Sequence, residues 1–335
     1  MRKRFRDFGL SFGKLPPAEK NLITDVGQIR VGHVTLCYDK PSIVRTGVTA
    51  VVFEDVFEKP LTAACAILNG FGKSIGLMQI EELGQIQTPI ILTNTLSVGT
   101  AFQGVISYMS KKHSFRTLNP VICECNDGFL NDILYPAVKE EHIEQAIDSA
   151  SEEFELGSIG AGMGMTCFGF KGGIGSSSRI LKDSFIIGSL VLANFGSYED
   201  LYILGKKASK FVNPGVERNQ EQGSIIILIA TNIPLDSRQL KRLARHSFLA
   251  LGMLGAPGYH SSGDLCIALS TTKGHTDETK ENFDLFFRAV VECTYEAICD
   301  ALFCAESVEG FLGVAKAMPV EWVIESSRRD SVERC

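Results

Sequence analysis

No apolar run in this chain approaches the ~20 residues that a membrane helix needs, so no membrane association is expected. A basic block is also missing. The 33 Lys and Arg are outweighed by 39 Asp and Glu, for a net charge of −6, which speaks against a nucleic-acid partner. The first twenty residues are basic but interrupt their few apolar side chains with charge, so they lack the continuous core of a secretory signal. Paired cysteine motifs are absent as well. The ten cysteines are scattered and mostly set in apolar surroundings, and Cys123 and Cys125 form a C-x-C with no second Cys/His pair nearby. That pattern is a poor zinc signature and fits reduced, buried thiols in a cytoplasmic protein. No metal and no cofactor is expected. Histidine is scarce, with six in the chain. His33 stands alone and reads as structural, and His260 reads as a loop or buried residue rather than a base.

What is present is enough apolar material, 45% of 335 residues, to bury a large core in one or two domains. Residues 1–20, closed by Pro16-Pro17, read as a loose arm, and residues 21–325 as a single domain. Strands are expected at Gly47–Phe53, Pro89–Leu92, Val121–Cys125, Ser184–Asn194 and Leu265–Ser270. Helices are expected after Ser97, which can cap one, over Glu141–Phe154, after the capping box Asp236-Ser237-Arg238-Gln239, and from Asn282 to about Ala305. Tyr198–Lys207 also reads as helical, Phe211–Gln222 as a polar loop, and Ser326–Cys335 as a frayed tail. Strands dominate the middle while helices lie between and after them, which implies sheets covered by helices in layers.

Two glycine motifs invite nucleotide readings and fail them. Gly70-Phe71-Gly72-Lys73-Ser74 lacks the glycine spacing of a phosphate-binding loop, because no glycine stands at the required place, with four residues between it and Gly72-Lys73-Ser74. Gly160-Ala161-Gly162-Met163-Gly164 follows a charged helix rather than a strand. The eight glycines from Gly157 to Gly175 read instead as a hairpin or meander that lets strands bend and pack closely.

The most informative stretch is Gly223-Ser224 followed by Ile225-Ile226-Ile227-Leu228-Ile229-Ala230. An aliphatic run this short and β-branched is a strand buried on both faces, so Ser224 stands at the mouth of a rigid core strand. Nucleophilic acyl transfer needs an activated hydroxyl, a proton acceptor, an orienting acid and donors for the oxyanion. Ser262-Gly263-Asp264 opens a second strand and Asn194 ends a third, so the residue types are available at strand ends. Glu124 interrupts an apolar strand, where a carboxylate faces either solvent or a pocket. With no evident histidine base, a chain-terminal α-amine, of ordinary pKa ~7.7–8.0, is suited to the task.

At this point the chain resembles the self-cleaving aminopeptidases of the DmpA and β-aminopeptidase type. The likeness rests on Ile23-Thr24-Asp25-Val26 with Arg30-Val31-Gly32-His33, on Thr88 through Gly99, and on Asn126-Asp127-Gly128 with Leu130-Asn131-Asp132. It continues through Phe168 to Gly175, Ala193-Asn194-Phe195-Gly196, Gly223-Ser224-Ile225-Ile226 and Ser262-Gly263-Asp264. The resemblance implies an αββα four-layer sandwich, like N-terminal-nucleophile hydrolases in layout but different in connectivity. It implies self-cleavage between Gly223 and Ser224 into fragments 1–223 and 224–335, and a homotetramer.

By the same resemblance, Ser224 is the nucleophile, Ser262 and the new α-amine handle its proton, Asp264 orients Ser262, and the Asn194 amide helps hold the oxyanion. Glu124 takes the substrate's free amino group, with Asn126 beside it. Two positions depart from the pattern: Asp264 is shorter than the glutamate some relatives carry, and Asn126 falls where some have a catalytic tyrosine. The expected substrate is a short peptide or an amino-acid amide. An acyltransferase on a related fold and a non-catalytic binding protein are the competing readings. Serine rather than threonine at the cut favours hydrolysis over transfer, and Ser224, Asn194 and Ser262 together argue against lost catalysis.

Overall fold

The computed structural model describes residues 2–212 and 223–332. In chain order the strands are β1 Ile29–Tyr38, β2 Val44–Phe53, β3 Leu61–Gly70, β4 Gln85–Ile86, β5 Ile90–Asn94, β6 Val121–Cys125, β7 Thr166–Cys167, β8 Phe170–Lys171, β9 Gly173–Ile180 and β10 Ile186–Asn194. They continue with β11 Tyr202–Ile203, β12 Lys206–Lys207, β13 Ser224–Thr231, β14 Gly263–Ser270, β15 Val308–Glu309 and β16 Val314–Ala315. The helices are α1 Leu77–Leu83, α2 Val98–Ser110, α3 Glu140–Asp148, α4 Ser237–Ser247, α5 Leu249–Met253, α6 Lys280–Phe303 and α7 Glu321–Val332.

Two sheets carry the architecture. One has the order β1-β2-β5-β6, the other β4-β3-β14-β13-β10-β9. The buried run of β13 explains why they stack. Its side chains alternate between faces, as any strand requires. Ile226, Leu228 and Ala230 meet Val51, Ile90 and Leu92 of the first sheet in the core between the sheets. Ile225, Ile227 and Ile229 pack outward with Leu240, Leu243, Phe286 and Val290 of α4 and α6. On the far side, Val48, Ala50, Ile91 and Ile122 pack against Val105 of α2 and Ile143 and Ile147 of α3. The order of layers is therefore helix, sheet, sheet, helix, as the resemblance implied. Both faces of β13 are covered, so it needs no polar alternation.

Connections place the strand ends. β13 and β14 run parallel with α4 and α5 between them, while β10 pairs antiparallel with β13 so that Asn194 lies opposite Ser224. The capping box at α4 is formed as expected: Gln239 N donates to Asp236 Oδ1 at 2.8 Å, and Asp236 N to Gln239 Oε1 at 3.1 Å.

Several expectations are corrected. Residues 2–20 are no loose arm. Phe5 is fully buried, Arg4 pairs with Asp300 of α6 at 2.7 Å, Arg6 pairs with Glu296 at 2.6 Å, and Phe12 stacks on Tyr295. The segment carries aromatics at intervals between its charges, and α6 offers acids to receive those charges. Ser97 does not cap α2; Asn94 accepts from the N–H groups of Leu96 and Ser97 instead, a shorter reach from a residue still in strand conformation. Tyr198–Lys207 forms a single turn and the two-residue hairpin β11–β12 rather than a helix. The glycine-rich stretch, by contrast, forms a hairpin as expected, β7–β8, after a single turn at Gly160–Gly162 and before β9 begins. The tail expected to fray belongs in part to α7, and the polar loop lies, from residue 213 to 222, outside the described residues. Among the described residues, no helix is long and apolar enough to cross a membrane.

Candidate active site

Ser224 opens β13 and Asp264 lies one residue into β14, so the parallel pairing of these strands sets their starts side by side. Gly263 joins them: its N–H donates to Ser224 Oγ at 3.1 Å and lies 3.3 Å from the carbonyl oxygen of Gly223. Ser262 Oγ donates to Asp264 Oδ1 at 2.5 Å, and Ile225 N donates to the same oxygen at 3.2 Å. The other carboxylate oxygen, Oδ2, accepts from Asn69 Nδ2 at 3.0 Å. All three predicted residues, Ser224, Ser262 and Asp264, are buried. Burial pushes the Asp264 carboxyl above its ordinary range, while the donors from Ser262, Asn69 and Ile225 pull it back.

Glycine is required on both sides of this cluster. A methyl on Gly223 would sit 2.7 Å from the Asn194 carbonyl oxygen and 2.9 Å from Phe195 Cα. These are backbone atoms that cannot yield, so the residue before Ser224 has to lack a side chain.

Asn194 ends β10 opposite Ser224 and is fully buried. Its Oδ1 accepts from Thr166 N at 2.9 Å and its Nδ2 donates to the carbonyl of Asn126 at 2.9 Å. The amide is thereby fixed in orientation with one N–H still to give. The dense glycines before β9 bring Thr166 to it. Asn126 takes part through its backbone: its side-chain oxygen accepts from Gly128 N at 2.9 Å in the Asn-Asp-Gly turn.

Glu124 is 2% exposed, so the solvent-facing reading is set aside. Its Oε1 accepts from Lys73 N at 2.8 Å and its Oε2 from the Thr95 hydroxyl. Next to it in β6, Cys125 directs its thiol to the Ser224 carbonyl at 3.4 Å, so strand β6 is in contact with β13. His33 bonds Thr49 and leans on Phe154, where burial pushes it down to about 4. His260 lies exposed in the turn before Ser262.

Four residues at the site escaped the sequence reading: Asn69, Lys73, Thr95 and Gly263. Asn69 precedes the rejected phosphate-loop motif and Lys73 lies within it, and its glycines were the available signal. Thr95 and Gly263 sit inside quoted motifs without a role of their own. No disulfide joins the described cysteines.

A serine at the head of a central strand, enclosed by two sheets between helix layers, defines an N-terminal-nucleophile-type hydrolase architecture. The model of peptidase family S58 matches residues 21–316. The β-peptidyl aminopeptidase BapA of Sphingosinicella microcystinivorans is 35% identical, with 92% of this chain and 88% of the relative covered. The PH0078 protein of Pyrococcus horikoshii OT3 superposes with a TM-score of 0.90 at 39% identity, over 98% of this chain and 99% of that one. The L-aminopeptidase D-Ala-esterase/amidase of Ochrobactrum anthropi, a prototype for the serine aminopeptidases and a variant of the Ntn hydrolase fold, superposes at 0.89 with 32% identity over the same shares. The chain belongs to peptidase family S58.

Proposed function

We propose that this serine aminopeptidase cuts its own chain between Gly223 and Ser224, and then releases N-terminal residues from short peptides or amino-acid amides. The observation that carries the reading is the Gly263 N–H, set against both the Ser224 hydroxyl oxygen and the Gly223 carbonyl oxygen. In the first reaction Ser224 Oγ attacks the Gly223 carbonyl carbon while Gly263 N–H supports the charge growing on its oxygen. The bond from that carbon to Ser224 N breaks, an ester forms, and water hydrolyses it, leaving a free α-amine on Ser224.

In the second reaction Ser224 Oγ attacks the substrate carbonyl. Its proton passes to Ser262 and the new α-amine, and Asp264 holds Ser262 in place through Oδ1. The second N–H of the Asn194 amide supports the oxyanion. The Glu124 carboxylate receives the substrate's ammonium, with Asn126 lining the same end through its turn. Water then releases the acyl group. A cytoplasmic location and a homo-oligomer, a tetramer on the family resemblance, complete the reading. The buried thiols support the first, and the exposed apolar side chains of Ile67, Leu68, Met78 and Leu249 around one surface groove support the second.

The test is a denaturing gel of the purified protein with N-terminal sequencing of the smaller band. Two bands are expected, the smaller beginning at Ser224, and the Ser224→Ala chain should stay whole and fail to hydrolyse an aminoacyl amide. A wild-type chain still intact after long incubation, or a Ser224→Ala variant that keeps its activity, would overturn the reading.

A further inference from the structure

The stretch Asn69–Ser74, excluded as a phosphate loop, runs from one sheet of the site to the other. At its start Asn69 Nδ2 donates to Asp264 Oδ2 at 3.0 Å, and Phe71 N donates to the Ser262 carbonyl at 3.2 Å. Next, Lys73 N donates to Glu124 Oε1 at 2.8 Å, and Ser74 Oγ accepts from Glu124 N at 3.3 Å. Ile75 then forms an antiparallel bridge with Ile122 of β6. Residues 69, 71 and 73 thus bond to Asp264, Ser262 and Glu124 in turn, with glycines between them. The fit needs a glycine on the facing strand: a methyl on Gly263 would come within 2.9 Å of Gly72 N and Cα.

Asn69 reaches Asp264 because of a register shift. Asp264 pairs with Asn69 but Leu265 pairs with Ile67, so Leu68 is an extra residue in β3. Strand side chains alternate, and one inserted residue exchanges which of them faces a given partner. The irregularity brings an amide, rather than a leucine, to the acid.

We propose that the strap Asn69–Ser74 is a positioning element of this site, in which Asn69 keeps Asp264 an ionised acceptor for Ser262 and the Lys73 N–H fixes Glu124 relative to Ser224. The proposal rests on the function proposed above. Asp264 has Ser262 and Ile225 on Oδ1 and Asn69 on Oδ2. With Asn69 gone, Oδ2 loses its donor in a site that burial already makes hostile to charge. The carboxyl then holds its proton to higher pH and offers Ser262 a weaker acceptor. This support matters most because aspartate is short: the carboxylate cannot move toward another donor without leaving Ser262.

The decisive measurement is an NMR titration of the full-length protein labelled with 13C at the Asp side-chain carboxyls, the Asp264 signal being identified by its loss in Asp264→Asn. In Asn69→Leu, Asp264 should titrate higher than in the wild type by about one pH unit. The acid limb of kcat/KM for an aminoacyl amide should move with it, with kcat reduced about tenfold and KM little changed. Asn69→Asp, of the same size but bearing a like charge, should move the titration further, and serves if the leucine variant fails to fold. An Asp264 titration unmoved in a folded Asn69 variant overturns the proposal. The titration needs no turnover, so it separates the two readings. An uncleaved, inactive wild type refutes the proposed function, whereas an active enzyme with an unmoved Asp264 refutes only the strap.

Discussion

Gly263 gives one N–H to two oxygens, Ser224 Oγ at 3.1 Å and the Gly223 carbonyl at 3.3 Å. One backbone donor therefore touches both atoms that self-cleavage would join through the carbonyl carbon. It lies at the start of a strand, where neighbouring pairing holds it rigid. Preorganised donors of this kind are worth more than mobile ones because nothing has to reorient as charge develops.

A methyl at position 263 would press on Gly72 N and Cα at 2.9 Å and on Ser224 Oγ at 3.0 Å. Gly263→Ala is therefore expected to displace the hydroxyl or the strap while the sheet persists. Self-cleavage should slow by ~10²-fold, the scale of losing one oxyanion donor. A time course on a denaturing gel measures it, with circular dichroism to show that the fold remains. Cleavage at the wild-type rate would show that the reaction does not use this donor.

Glu124 has both carboxylate oxygens engaged, by Lys73 N and by the Thr95 hydroxyl. Glu124→Gln keeps the shape but removes the charge and turns an NH2 toward one of those donors. If Glu124 binds the substrate's ammonium, the loss is about 2 kcal/mol or more, or roughly thirtyfold in KM. Steady-state kinetics on an aminoacyl amide and its N-acetylated counterpart check this. The preference for the free amine should shrink, and an unchanged preference would remove Glu124 from substrate binding.

The layers and the strand ends were legible in the sequence because they follow from local patterning. The aliphatic run after Ser224 could only be a strand buried on both sides, and Asp236 to Gln239 announced a helix start. The strap was not legible, because its meaning depends on a single extra residue, Leu68, in a strand paired with one nearly two hundred positions away. Nor was the docking of residues 2–20. Arg4 and Arg6 look like surface charge until the acids of α6, Asp300 and Glu296, are brought beside them. Long-range pairing of charges leaves no periodic trace in a sequence.

That docking makes a prediction of its own. Asp300 is 1% exposed and accepts from Arg4 Nε at 2.8 Å and from Phe5 N at 2.8 Å. Removing the arginine leaves a buried carboxyl beside Phe5 without its counter-charge. Arg4→Ala should destabilise the fold by ~3–5 kcal/mol, the usual consequence of breaking one side of a buried pair. Arg4→Lys should recover part of this, since a point charge replaces the fork that also reaches the carbonyls of Lys20, Asn21 and Ser176. Denaturant melts of the three proteins give the comparison.

Lys171 supplies the last prediction. Its ammonium group is fully buried in β8 and donates to the carbonyls of Gly162 and Gly172, both at 2.8 Å, and burial pushes it down to about 7. The unfolded chain holds this proton until near pH ~10.4. Between those values the unfolded state binds more protons than the folded one, so stability rises with pH there, by up to ~1.4 kcal/mol per pH unit. Below about pH 7 both states are protonated and this contribution levels off. The buried thiols, such as Cys123 and Cys266 at about 12, act in the opposite sense, but only once unfolded cysteine titrates near ~8.5. Between about 7 and ~8.5 Lys171 is therefore the largest of these contributions, while Asp127, pushed up to about 7 by burial, acts mainly below that window. Denaturant melts across it should show wild-type stability climbing with pH, and Lys171→Met should remove the climb. A slope unchanged by the substitution would mean that the lysine keeps its proton in the folded protein, with the two carbonyls enough to hold the charge.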